Sequence, residues 1–187
     1  EALLEQLVAL ARSPGVSDRP FTVHRAAEGD AAELAHLAEV TFTETFGHLY
    51  PPDDLASYVA GAYTPKACLE TLADPRMAYW LTRAEGEPAV GFALAGYCKL
   101  PVGGLETTAG ELRRLYVRSA HQNQGLGARL FEAALEWLES RYSPLYIGVW
   151  SENRGAQRFY GRYGFVKVGE YDFRVGSTVD RELILRR

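Results

Sequence analysis

One continuous stretch, residues 111 to 150, limits the fold more than any other. It opens on ELRRLYV, passes through HQNQGLGARLF, continues as a helix-periodic run and closes on LYIGVW. Leu130, Phe131, Ala134, Leu135 and Leu138 recur at helical spacing, whereas the apolar, branched and aromatic run at 145–150 reads as a strand. Strand, glycine loop, helix and strand in that order make a unit of the βαβ kind. The first strand is irregular. Its apolar residues are Leu112, Leu115 and Val117, and a strand keeps one face only with a period of two, so the three-residue gap predicts a β-bulge. A bulge splays a strand from its neighbour and opens a cleft.

Around this unit the remaining elements fall into place. Leu3, Leu4, Leu7, Val8 and Ala11 form one helical stripe at residues 2–11, and RSPGVSDRP then breaks the pattern as a linker, giving an N-terminal segment 1–20 ahead of a domain at 21–187. Phe21 to Arg25 is a short strand. Asp30 with Glu33 three residues on has the spacing of a capping box for a helix running to Phe46. Further helices are expected from Asp53 or Asp54 and from Lys66 to Ala73, the latter stopped by Asp74-Pro75. MAYWLTRA at 77–84 and AVGFALAGYCKL at 89–100 read as a hairpin about an EGEP turn. Ala156, Phe159, Tyr160 and Tyr163 stripe a last helix ended by Gly164, and FVKVGEYDF and STVDRELILRR supply two closing strands.

Composition excludes several classes. At 187 residues with 47% apolar residues the chain suits one well-packed domain. Its net charge of −4 and the absence of a basic run argue against nucleic acid as a partner. Cys68 and Cys98 lie in unrelated segments without metal-ligand spacing, which suits a reducing cytoplasm and predicts no metal site. No apolar run approaches the roughly 18 residues of a membrane span, and EALLEQLVALA lacks the basic flank of a signal peptide. A soluble, cytoplasmic protein is the expectation, and the stripe at 3–11 suggests a homodimer.

The glycine loop is neither a Walker loop, since no Lys-Ser or Lys-Thr follows Gly127, nor a dinucleotide fingerprint, since position 130 is Leu. Gln122-x-x-Gly125-x-Gly127 at the mouth of a helix still converges backbone N–H groups on an anion, although such a loop also serves as a simple turn. About thirty residues on, GVWSENRGAQRFYGRYGF carries Asn153, Ala156, Phe159, Tyr160, Gly164 and Phe165. Together the two segments resemble motifs A and B of the GNAT N-acetyltransferase superfamily, in detail over 111–173 and in element order over 21–187. The resemblance implies a single α/β domain with a mixed, mostly antiparallel central sheet, a bulged strand at 111–117 and flanking helices.

It also implies a donor, acetyl-CoA, and a primary-amine acceptor attacking directly in a ternary complex. Amides of Asn123, Gln124, Gly125, Leu126, Gly127 and Ala128, with Gln122 beside them, would take the pyrophosphate. The backbone of Leu115, Tyr116 and Val117 would pair with pantetheine. Asn153 and Ala156 would meet the cofactor, and Arg129 or Arg162 the 3′-phosphate. Tyr160 matches the family's general acid, while Glu111 stands where some relatives carry a base that acts through water. The base position used by another branch is Gly148 here. Segments 41–55, 148–153 and 171–183 look like bacterial polyamine acetyltransferases, with Glu44, Asp53 and Asp54 as carboxylates for a polycation, although Arg113 opposes that charge. Protein N-terminal acetylation and a non-catalytic acyl-CoA-binding module are the alternatives.

Overall fold

The computed structural model describes residues 20–187; the helix expected at 2–11, and with it the dimer argument, lies outside the described residues. One sheet of seven strands organises the described residues. In chain order the elements are β1 (Phe21–Arg25), α1 (Ala31–Phe46), α2 (Pro52–Ala62), α3 (Pro65–Ala73), β2 (Met77–Ala84), β3 (Gly91–Tyr97) and β4 (Gly110–Val117). They continue with α4 (Leu126–Glu139), β5 (Leu145–Trp150), α5 (Arg154–Arg162), β6 (Val166–Val175) and β7 (Thr178–Arg186). Strand order is β1-β2-β3-β4-β5-β7-β6, with every pairing antiparallel except β4 with β5. No helix of the described residues is long and apolar enough to cross a membrane.

The expected bulge is present. Leu94 faces Arg114 and Ala95 faces Leu112, so Arg113 is the extra residue of β4. Its insertion restores parity: Leu112, Leu115 and Val117 all turn towards the layer of α4 and α5, whereas Tyr116 turns towards α1–α3. On the α4 side Leu130, Phe131 and Leu138 are fully or almost fully buried. Burial of each such side chain is worth about 2 kcal/mol, so the apolar stripe fixes this helix to the sheet more firmly than its propensity does. On the other face Leu34 and Phe42 of α1 pack on Leu81 and Phe92.

Local signals and tertiary partners disagree in one place. The capping box expected at Asp30 and Glu33 does not form. Asp30 accepts the Ala27 N–H at 2.9 Å and lies 3.1 Å from Arg83, while Glu33 accepts the Ala89 N–H at 2.6 Å and pairs with Arg83 at 2.8 Å. Two carboxylates around one guanidinium, plus a loop amide, outweigh a reciprocal bond at the helix start. Boundaries also shift. α2 begins at Pro52 and α3 at Pro65, where a missing N–H costs nothing, and Thr64 caps α3 by accepting the Ala67 N–H at 3.1 Å. The second strand of the hairpin narrows to 91–97.

Candidate active site

Strands β4 and β5 pair over only three positions, Gly110 with Leu145, Glu111 with Tyr146 and Leu112 with Ile147. Past the bulge they separate. Residues 113–117 and 148–150 then border a cavity of about 540 Å3, also walled by α1–α3, α5 and β7, a size that suits a small-molecule site. The walls include Glu111, Leu115, Tyr116, Val117, Gln122, Asn153, Ala156 and Tyr160, so two segments separated in sequence meet at one opening. Asn123 through Ala128 lie outside these walls, in the turn that enters α4.

The turn itself is built from left-handed backbone. Asn123 has φ of 60° and Gly125 has φ of 76°, Gly125 being the N-cap of α4. Successive amides in such a conformation form an anion-receiving nest, and the first-turn N–H groups of a helix have no intrahelical acceptor. Gln122 secures the loop by donating from Nε2 to the Val117 carbonyl at 3.0 Å. The two arginines expected at a 3′-phosphate each have a contact within the protein. Arg129 donates to the Phe21 carbonyl at 2.8 Å, which ties α4 to β1, and the Arg162 guanidinium lies over the Phe159 ring at 5.4 Å.

Tyr160 is buried, its ring packed by Phe131, Phe159 and Phe165 at centroid distances of 5.5, 5.3 and 6.4 Å. Burial pushes its hydroxyl pKa up, so it keeps its proton near neutrality. The helix that carries it is capped by Asn153, whose Oδ1 accepts the Ala156 N–H at 3.0 Å. Asn153→Ala is therefore expected to cost about 1 kcal/mol in urea unfolding, with Asn153→Asp recovering most of it; equal stability of the Ala variant would show that the cap contributes nothing.

Glu111 is buried on β4 and accepts the Lys99 N–H at 2.8 Å, with Arg113 Nε at 3.8 Å. Burial raises its pKa, and the Lys99 amide and Arg113 pull the other way. Arg113 is itself held, donating to the Tyr97 carbonyl at 2.6 Å. Gly148 is in place on β5, and a Cβ there would stand 3.0 Å from the Tyr171 hydroxyl. Two of the three acids expected to meet a polycation have partners elsewhere. Glu44 accepts from Arg118 Nε at 2.8 Å and from the Ser119 N–H at 2.9 Å, and Asp54 holds Ser177 through both its N–H and its hydroxyl. Asp53 sits in the first turn of α2 and is exposed.

Sequence reasoning named one of the three carboxylates that line the cavity, Glu111, and missed the other two, Asp180 and Glu182. Both lie on one face of β7. Asp180 accepts a short hydrogen bond from the Tyr50 hydroxyl. Glu182 has neither a cation nor a donor paired with it among the described residues, and burial, with the nearby Asp180 charge, raises its pKa to about 7. The period-two alternation of STVDRELILRR places these two acids together, and that was the available signal. Among the described residues no group of three or more His, Cys, Asp and Glu is arranged to hold a metal.

Comparison with known proteins agrees with this architecture. Residues 31–165 match the model of the acetyltransferase (GNAT) family. An uncharacterized N-acetyltransferase in the pepI 3′ region of Lactobacillus delbrueckii subsp. lactis is 30% identical over 166 residues, covering 86% of this chain and 92% of that protein. The spermine/spermidine N(1)-acetyltransferase of Bacillus subtilis is 31% identical over only 74 residues, 38% of this chain and 49% of its own. Among solved structures, the PaiA N-acetyltransferase of Thermoplasma acidophilum in complex with coenzyme A superposes with a TM-score of 0.69 at 17% identity, covering 90% of this chain and 99% of that one. With a family model spanning most of its length and a relative matched nearly end to end, the chain belongs to the GNAT acetyltransferase family.

Proposed function

We propose that the protein moves the acetyl group of acetyl-CoA to the primary amine of a small acceptor by direct attack in a ternary complex. The gap between β4 and β5 carries this reading, because strands that part after three pairs leave backbone polar groups available to an amide-bearing arm. The pantetheine arm of acetyl-CoA lies along Leu115 to Val117, the pyrophosphate meets the amides of 123–128, and Asn153 and Ala156 border it from the start of α5. Family membership and the likeness to a structure solved with coenzyme A support the donor.

The chemistry follows from protonation states. An alkylammonium with a pKa near 10 must lose a proton before it attacks. Glu182 takes that proton, since it has no partner among the described residues, lines the cavity and is half ionised near pH 7. Glu111 is the second candidate, favoured by its raised pKa, although its carboxylate already holds the Lys99 amide. Attack forms the N–C bond, a β4 amide near Tyr116 or Val117 stabilises the oxyanion, and the C–S bond breaks. Tyr160 protonates the departing thiolate and regains a proton from the acetylated nitrogen.

Thiol release from acetyl-CoA, measured over amino acids, polyamines, peptides and aminoglycosides, tests the proposal. Turnover with at least one amine and a mass gain of one acetyl group is expected. Tight coenzyme A binding without turnover of any amine would instead make this an acyl-CoA-binding module.

A further inference from the structure

One charged group in the cavity is explained neither by the fold nor by acetyl transfer. Arg114 follows the bulge on β4 and lines the cavity. Its basic neighbours along the chain have oxygen partners: one terminal nitrogen of Arg113 donates to the Tyr97 carbonyl, and Arg118 pairs with Glu44. Among the described residues no carboxylate and no carbonyl pairs with the Arg114 guanidinium, which lies 4.8 Å from the Tyr63 ring centroid, with Tyr58, Tyr79 and Tyr116 close by. A guanidinium does not deprotonate in a protein, so a full positive charge stands in a half-buried aromatic cup. Leaving such a charge without a counter-ion is costly, and its planar fork matches a carboxylate through two parallel hydrogen bonds.

Its direction identifies the side from which that anion comes. The alternation of β4 places Arg114 with Tyr116 on the face of α1–α3, opposite Leu115 and Val117, which face α4. The glycine turn enters α4, so the pyrophosphate expected there is not the anion that Arg114 meets. Asp180 and Glu182 line the same cavity from β7. The cavity is thus bipolar, cationic at Arg114 and anionic at β7.

We propose that Arg114 is a carboxylate subsite and that the acceptor is an amino carboxylate, with its carboxylate on Arg114 and its amine directed to the β7 acids and the thioester. The amine end rests on the acetyl transfer proposed above; the carboxylate end does not. In the step, the amine freed when Glu182 takes the ammonium's proton bonds the acetyl carbon, the C–S bond breaks as the thiolate takes the Tyr160 proton, and the acetylated nitrogen's second proton returns to the tyrosinate. A polyamine, positive at every nitrogen, would set like charge against Arg114.

Matched pairs that differ only in the carboxylate test this, lysine against cadaverine and ornithine against putrescine. Wild type should favour the carboxylate-bearing member of at least one pair by about 10-fold or more in kcat/KM. Arg114→Gln should lower that member by about 30-fold or more and leave its decarboxylated partner within about 3-fold; Arg114→Lys, which keeps charge without the fork, should fall between. Equal or better use of the decarboxylated amine in every pair, or equal losses for both members in Arg114→Gln, overturns the subsite. If wild type acetylates no amine, the transfer reading fails by itself, and calorimetry with glutarate decides the subsite: binding to wild type that Arg114→Gln abolishes upholds it, and no binding, or binding unchanged by the substitution, overturns it.

Discussion

Tyr160→Phe should lower kcat for acetyl transfer by roughly 10²–10³-fold while leaving KM for acetyl-CoA nearly unchanged. The substitution deletes one oxygen and retains the ring that packs against Phe131, Phe159 and Phe165. Stability should therefore hold, and urea unfolding provides the control. The hydroxyl is needed because the leaving group is a thiolate, and the buried tyrosine keeps its proton until that charge develops. Steady-state thiol release with a saturating amine reads the effect, and a variant as fast as wild type would remove the acid from this position.

Glu182→Gln should act oppositely on rate and on stability. In wild type, kcat/KM should climb with pH and level off above the carboxyl's pKa of about 7, as the base loses its proton. The Gln variant should fall by about 10²-fold and lose that limb. The stability sign runs the other way. Burial raises this pKa in the folded state above its ordinary value of about 4.3, so the folded chain binds more protons than the unfolded one between those values. The contribution is fully present below the unfolded pKa and is lost as pH rises through about 7. Above pH 8 the neutral Gln variant should be the more stable protein, by on the order of 2 kcal/mol, and near pH 4 the two should unfold alike. A purely structural Glu182 would give the stability change without the altered pH–rate profile. Glu111→Gln in parallel shows which carboxylate owns the limb.

What could be read from sequence follows the range of the interactions concerned. The gap from Leu112 to Leu115 announced the bulge because it is a statement about one strand, and the structure places the extra residue at Arg113. The stripe of Ala156, Phe159, Tyr160 and Tyr163 likewise gave a helix with Tyr160 turned inward. Side chains whose partners are distant in the chain were not legible. Glu44 and Asp54 looked like free acids, yet they hold residues 74 to 123 positions away. Tyr50, Tyr58 and Tyr63 lie apart in the sequence, and only the fold turns them to one cavity beside Asp180 and Glu182. Charge pairing across a sheet depends on which strands become neighbours, and β7 lies between β5 and β6 rather than at the end of the chain order.

The early parting of β4 and β5 also bears on how this chain avoids sticking to others. An unpaired strand edge is a template for aggregation, and this molecule keeps one open along the cleft on each of two strands. Those edges lie inside the sheet, where walls of helix and hairpin keep out a foreign strand yet admit a slender ligand. The outer edge at β6 has no such walls. There Val166 and Val168 are exposed, 62% and 51% respectively, and charges interleave them, with Lys167 and Glu170 paired at 3.0 Å. The sheet thus guards its β6 edge by charge and its inner pair by enclosure, and the enclosed pair can offer its backbone to a ligand.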